Sequence, residues 1–213
     1  MASKDWNNML AGRLYHAQDP DLTAARLRAR QLVFRYNQSA PGEEGLRREV
    51  AAELFGRMGE GCYLEPPLRC DYGFNIRLGD RVYVNFNLVV LDCAAVTIGN
   101  DVLIGPNVGI YTAGHPVDPD LRREGLEFAL PVTIEDGVWI GGHAVIAPGV
   151  RIGRNSVIGA GSVVTKDIPA NVVAVGNPCR VIRPITEKDR EAWQVEKSGD
   201  GAAAAGTEAN SPV

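Results

Sequence analysis

The sequence predicts a mainly β protein, a parallel β-helix closed at its N-terminal end by a small helical cap. Three patterns carry that reading. Aliphatic residues recur every six positions through the middle of the chain: Ile98, Ile104 and Ile110, then Ile134, Ile140, Ile146, Ile152, Ile158 and Val164. Small or bend-forming residues such as Gly99, Gly105, Gly141, Gly153, Gly159, Asn100, Asp101, Asn107, Arg154 and Asn155 follow them. Before this region the apolar spacing is helical instead.

The cap comes first. Leu22, Ala25, Ala29, Leu32, Val33 and Tyr36 lie at helical spacing and predict an amphipathic helix over 22–38. After Pro41 and Gly42, which mark a break, Leu46, Val50, Leu54 and Met58 recur four apart and predict a second helix.

The sixfold beat then excludes a helix, because six residues rotate a helix by about 600° and would scatter the isoleucines around its surface. Six is even, so each repeat returns to one face of an extended chain, and Val102, Val108, Val138, Ala144, Val150, Ser156 and Ser162 share that face. Short strands separated by bends, stacked about 4.8 Å apart, are the expected result. Leu78, Val84 and Val90 form a prelude two residues out of phase.

Between Ile110 and Ile134 the beat stops at "YTAGHPVDPDLRREGLEFALP", residues 111–131. Continued silently, it would bury an unpaired Arg122, which is costly, so the segment leaves the coil as a loop. Its length points to an ordered functional excursion, with Leu126 and Phe128 as its apolar anchors. The charged stretch "TEKDREAWQVEK" is a candidate helix, and the final "SGDGAAAAGTEANSPV" reads as disordered. The expected division is a cap over 1–60, a β-helix over 61–185 and a charged segment with its tail over 186–213.

With 213 residues and 45% hydrophobic content the chain supports one main core. A formal charge of -4 gives no global attraction to nucleic acid. The polar start "MASKDWNNML" and the lack of a long apolar run point away from secretion and from a membrane, so a cytoplasmic protein is expected. Cys62, Cys70, Cys93 and Cys179 have no zinc-like spacing and read as reduced thiols.

The motifs "LYHAQDPDL", "YGFNIRLGDRVYVNFN", "VTIGNDVLIGPNV", "TAGHP", "GVWIGGHAVIAPGVRIG", "NSVIGAGSVVTKDIP" and "GNPCRVIR", in this order, resemble the galactoside and maltose O-acetyltransferase family of hexapeptide-repeat acyltransferases. The resemblance implies a left-handed β-helix with about three hexads per coil. It also implies a homotrimer with active sites between subunits, acetyl-CoA as cosubstrate, and a sugar hydroxyl as acceptor.

Acetyl transfer to a hydroxyl needs a base, an oxyanion donor and anchors for CoA, and no metal. A neutral histidine suits the first task. Of His16, His115 and His143, the resemblance aligns His115 with the catalytic base; His143 reads as a coil residue and His16 as a cap residue. Asn85 matches the family asparagine near the acceptor hydroxyl, with a bend residue as the plain alternative. Asp71, Asp92, Cys93 and Glu127 are candidate acceptor contacts, each also readable as a turn or solvated group.

On the donor side the resemblance assigns Gly142 a backbone N–H near the thioester. Trp139 and Ala160 are to flank the CoA arm, with Thr165, Lys166, Arg180 and Arg183 toward its far end. The chain departs from the galactoside-specific pattern at Asp71, where relatives have serine, and at Cys93, where they have aspartate. The family's early acidic acceptor contact aligns with Ala17, with Asp19 nearby. These departures leave open acceptors such as a chitooligosaccharide, serine or an antibiotic. Two further rivals are a zinc enzyme of the carbonic anhydrase kind, weakened by the absence of three suitable imidazoles, and a non-catalytic scaffold.

Overall fold

The computed structural model describes residues 2–197; the tail at 198–213, expected to be disordered, lies outside them. The fold is a left-handed parallel β-helix with three flat faces. One face stacks Ile76–Leu78, Val96–Ile98, Val132–Ile134 and Arg151–Ile152. The second runs from Tyr63–Leu64 through Tyr83–Val84, Leu103–Ile104, Trp139–Ile140 and Val157–Ile158 to Val172–Val175 and Arg180–Pro184. The third stacks Leu68–Cys70, Leu88–Leu91, Gly109–Tyr111, Val145–Ile146 and Val163–Val164.

The hexads fix this stacking. Ile134 pairs in register with Ile152, Ile140 with Ile158, and Val145 with Val163, each 18 residues on, so three hexads make one coil. The inward Ile134, Ile140, Ile146, Ile152, Ile158 and Val164 have no exposed surface. Bends between faces use left-handed backbone at Asn87, Asp101, Asn107 and Asn155, residue types that tolerate it. Glycine is required at Gly141, where a Cβ would lie 2.5 Å from the Ala160 amide nitrogen of the next coil. Ser156 and Ser162 are buried at inward positions and satisfied: Ser156 Oγ donates to the Pro169 carbonyl at 2.7 Å, and Ser162 Oγ accepts from Gly176 N at 3.0 Å.

The early phase slip has a specific place. From Cys70 to Leu78 and from Val90 to Ile98 the chain takes eight residues to pass from the third face to the first, where Ile146 to Ile152 takes six and Val164 to Ile168, in the last coil, takes four. The 111–131 excursion leaves from that same edge. Ile98 pairs with Ile134, 36 residues on, so the insertion equals one whole coil and the beat resumes in register.

The cap is richer than expected. An unanticipated helix α1 (Lys4–Leu10) precedes α2 (Pro20–Asn37), and α3 (Glu44–Leu54) ends before Met58, which packs partly buried on the core. Asp19 caps α2 by accepting from Asp21 N and Leu22 N. Asn37 closes the first coil's open strand: its side chain donates to the Leu68 carbonyl and accepts from Leu68 N, both at 2.9 Å. The excursion contains a short strand Ala113–Gly114, helix α4 (Pro119–Arg123) and a strand Leu126–Ala129. Arg122 lies exposed there, donating to the carbonyls of Pro116 and Val117. Helix α5 (Glu187–Lys197) occupies the charged C-terminal stretch. No helix among the described residues is long and apolar enough to cross a membrane.

Because each inward isoleucine is packed from the coils on either side, Ile140→Ala should lower unfolding free energy by roughly 2–5 kcal/mol. Thr97→Ala, on an outward strand position, should change it by less than about 0.5 kcal/mol. Urea denaturation of both variants checks the contrast, and equal effects would contradict it.

Candidate active site

The excursion returns to the cap. Leu126–Ala129 pairs antiparallel with Ala113–Gly114 on one side and with Tyr15–His16 on the other, in the register Tyr15 to Glu127. Strand alternation turns Tyr15 inward and His16 outward, where His16 Nδ1 lies 3.5 Å from Asp5. Met9, Tyr15, Leu22, Tyr72, Cys93, Ala94 and Ala129 form a second small core beneath this sheet. At Gly114 a Cβ would lie 2.7 Å from the Phe128 ring, so the bare backbone lets that ring close over the residue preceding His115.

His115 is thereby held at one ring nitrogen. Nδ1 lies 3.2 Å from the Leu126 carbonyl, an acceptor only, so Nδ1 carries the proton and Nε2 presents its lone pair. Glu127 Oε1 stands 3.9 Å from Nε2, and the Tyr15 hydroxyl donates to Glu127 Oε2 at 2.7 Å. A proton arriving on Nε2 would be stabilised by that carboxylate. Burial drives the Tyr15 phenol far above its ordinary pKa, so it remains a donor.

The edge where the coils run long supplies the floor. Asp92 is fully buried; its Oδ1 accepts from Asp71 N at 3.0 Å and Tyr72 N at 2.9 Å, and its carbonyl accepts from Asn75 Nδ2 at 2.7 Å. Its Oδ2 has no partner among the described residues, and burial pushes its pKa up to about 7. Asp92 therefore shapes the turn carrying Asp71 and has no exposed surface within the chain. Cys93 Sγ donates to Asp71 Oδ2 at 3.6 Å, and burial pushes the thiol up to about 12. Asp71 is half-buried, and burial raises its carboxyl too, against the opposing effects of Cys93 and Arg26. Ala17, Arg26, Asp71, Cys93 and Glu127 line one cleft of about 400 Å³.

His115, Glu127, Asp71, Asp92 and Cys93 thus come together. Asn85 does not join them within the chain: it lies on the next edge of the prism, separated by the third face, whose four-residue strand spans about 13 Å. There Asn85 Oδ1 accepts from Phe86 N at 2.7 Å. Gly142 and Ala160 stack above Asn85 on that edge, and the Gly142 N–H makes no hydrogen bond among the described residues. His143 beside them places Nε2 3.3 Å from Asn107 Nδ2. Trp139 stands on a strand, not at a corner, in an outward ladder with Tyr63, Tyr83 and Leu103. Thr165 and Lys166 are exposed on the loop-bearing edge, and Arg180 is exposed on the last strand. Arg183 is paired with Asp189 at 2.8 Å, which holds that carboxyl at about 2. No group of three His, Cys, Asp or Glu that could hold a metal occurs among the described residues.

Sequence reasoning missed Tyr15, Arg26 and Tyr72. Arg26 had a signal, since it interrupts the apolar stripe of Leu22, Ala29 and Val33. Asp19 does not replace the carboxylate absent at Ala17, because helix capping and Ser3 Oγ, at 2.8 Å, occupy it.

Comparison with known proteins follows the same lines. Residues 8–59 match the maltose acetyltransferase hexapeptide capping motif, and residues 131–166 match the bacterial transferase hexapeptide. The galactoside O-acetyltransferase of Escherichia coli K12 is 50% identical, over 84% of this chain and 89% of that protein. A solved galactoside acetyltransferase in complex with coenzyme A superposes with a TM-score of 0.86 at 48% identity, covering 89% of this chain and 94% of that one. A maltose O-acetyltransferase from Clostridium difficile 630 gives 0.85 at 46% identity, covering 87% of this chain and all of the other.

Burial makes the Asp92 site testable by pH. Its folded-state pKa lies above the unfolded 3.8, so its contribution is fully present below that value and is lost as pH rises toward about 7. Asp92→Asn removes this loss. The stability of the variant relative to the native protein should increase from about pH 4 to about pH 7 and level off above; parallel unfolding curves across that range would refute the placement of the titration at Asp92.

Proposed function

The chain belongs to the galactoside and maltose O-acetyltransferase family of hexapeptide-repeat acyltransferases, and we propose that it acetylates a sugar hydroxyl with His115 as general base. It is an acetyl-CoA-dependent O-acetyltransferase. The observation that carries the catalytic reading is the fixed imidazole: Nδ1 engaged by the Leu126 carbonyl, and Nε2 open beside Glu127.

His115 Nε2 takes the proton as the acceptor oxygen attacks the thioester carbonyl of acetyl-CoA. Glu127, held by Tyr15, stabilises the imidazolium that results. The free Gly142 N–H is the donor proposed for the tetrahedral oxyanion, and Asn85 positions the attacking hydroxyl. Collapse expels the CoA sulfur, which recovers the proton from His115, leaving the sugar ester and CoA. Trp139, Ala160, Thr165, Lys166, Arg180 and Arg183 are proposed to line the CoA path. For Arg183 this requires sharing its guanidinium between Asp189 and phosphate.

The separation of Asn85 and Gly142 from His115 supports a site shared between protomers. If one copy's Asn85 edge meets the next copy's loop-bearing edge, the contact is head-to-tail and closes as a ring, which we take as a trimer. The exposed ladder of Tyr63, Tyr83, Leu103 and Trp139 borders the Asn85 edge and is the kind of apolar surface such a contact covers.

His115→Ala should lower turnover by roughly 10²–10⁴-fold while CoA binding persists. Asn85→Ala should also be impaired. Unfolded and refolded together, the two variants should regain activity, because mixed rings contain sites with one intact edge from each. Thiol release from acetyl-CoA reads both results; no recovery on mixing would exclude a shared site.

A further inference from the structure

The acceptor cleft has a charged wall that sugar hydroxyls alone do not require. Arg26 and Arg30 lie one turn apart on α2 and line the cleft together with Asp71 and Glu127. No carboxylate among the described residues lies within the 4.0 Å ion-pair distance of either guanidinium. Arg26 donates to the Tyr72 hydroxyl at 2.6 Å, to the Ala17 carbonyl and to Thr23 Oγ1 at 3.4 Å, which leaves part of its five-donor fork open. Arg30 is exposed and makes no hydrogen bond among the described residues. The two carboxylates of the cleft take neutral donors, Asp71 from Cys93 and Glu127 from Tyr15, so no direct ion pair ties either of them to the arginines. With alanine at position 17 and Asp19 committed to its helix cap, neither arginine has a direct carboxylate partner among the described residues, and Asp71 acts on both only through space.

We infer that the acceptor is an anionic sugar, whose carboxylate or phosphate is gripped by Arg26 and Arg30 while a hydroxyl elsewhere on the molecule reaches His115. The inference rests on the acceptor reading above and narrows it. The two ends of the cleft divide the work: guanidinium groups match a planar carboxylate or a phosphate, and the Glu127 end would repel one, so the acceptor is oriented as well as bound. Thr23 and Gln18 add polar contacts at the anionic end, and Leu27 lies between the arginines on the cleft wall.

The test compares methyl glucuronide with methyl glucoside, which differ in the carboxylate, and adds glucose phosphate to distinguish the two anions. The expected kcat/KM favours at least one anionic acceptor over the glucoside by about tenfold or more, as one charge-assisted contact would give. That ratio should fall in Arg30→Gln and in Arg26→Gln, but not in Arg28→Gln, whose guanidinium pairs with Glu53 instead. Exposed Arg30 makes the first variant safe for folding. A glucoside used as well as both anions, with a ratio unmoved by Arg30→Gln, overturns the inference and leaves acetyl transfer standing. Should no acceptor release thiol, the transfer reading fails separately. Calorimetric binding of glucuronide or glucose phosphate, weakened by Arg30→Gln, would then still support the anion site, and no binding of either would overturn it.

Discussion

The constraint on which the rest depends is that each backbone segment of the prism is paired with the segment one coil away. Ile134 must meet Ile152 and Ile140 must meet Ile158, because a slip of one residue would turn the inward row outward. A chain bound by that rule can vary only at its edges, and there only by amounts that restore the face. The changes seen obey it: two residues more at each of two early turns, 18 more between Ile98 and Ile134, and two fewer between Val164 and Ile168. All are even, so the stacked isoleucines never change side.

Those irregularities gather on a single edge, and the candidate site is made from them. The long turns bring Asp71 and Asp92 with Cys93, and the excursion brings His115 and Glu127. A regular hexad corner has too few residues to hold a buried carboxylate or to carry an imidazole out to the cap. The helical cap then stabilises what the coil cannot, by adding Tyr15–His16 to the returning strand and filling the space beneath with Met9, Leu22 and Tyr72. Cap and excursion form one packed unit, which explains why the apolar cap residues divide between the prism core and this smaller core.

Much of the fold was legible because its signals are periodic. The sixfold aliphatic row, the departure at Tyr111 and the helix starting near Leu22 all follow from which face each residue must present. The first helix escaped because seven residues give too short a window for periodicity, and the second cap helix was overextended to Met58 because its fourfold spacing continues past Leu54 as packing. Within the site, the resemblance pointed to His115 and its place in the loop to Glu127, and the structure sets the two 3.9 Å apart. Tyr15 and Tyr72 remained hidden, since a buried tyrosine in a short strand or turn reads as ordinary core. Asp92 read as either an acceptor contact or a turn carboxylate, and its burial and two backbone donors give it at least the second role. The visible clue to that turn was the two-residue phase slip.

This division of labour also determines where acceptor preference can reside. Residues that face into the prism cannot change without disturbing coils on both sides, whereas the cleft is lined from α2 and the residues just before it, the two long turns and the returning strand, none of which must obey the hexad. Ala17 and Cys93 lie on such segments, so replacing a carboxylate there leaves the coil register untouched while altering the charge beside Arg26. His115 is constrained differently, because its orientation depends on the Leu126 carbonyl and hence on the strand pairing that fixes Glu127. A fold of this kind can therefore exchange acceptors through its cap and turns while keeping its imidazole in place, and the net charge of the cleft becomes the property most easily changed.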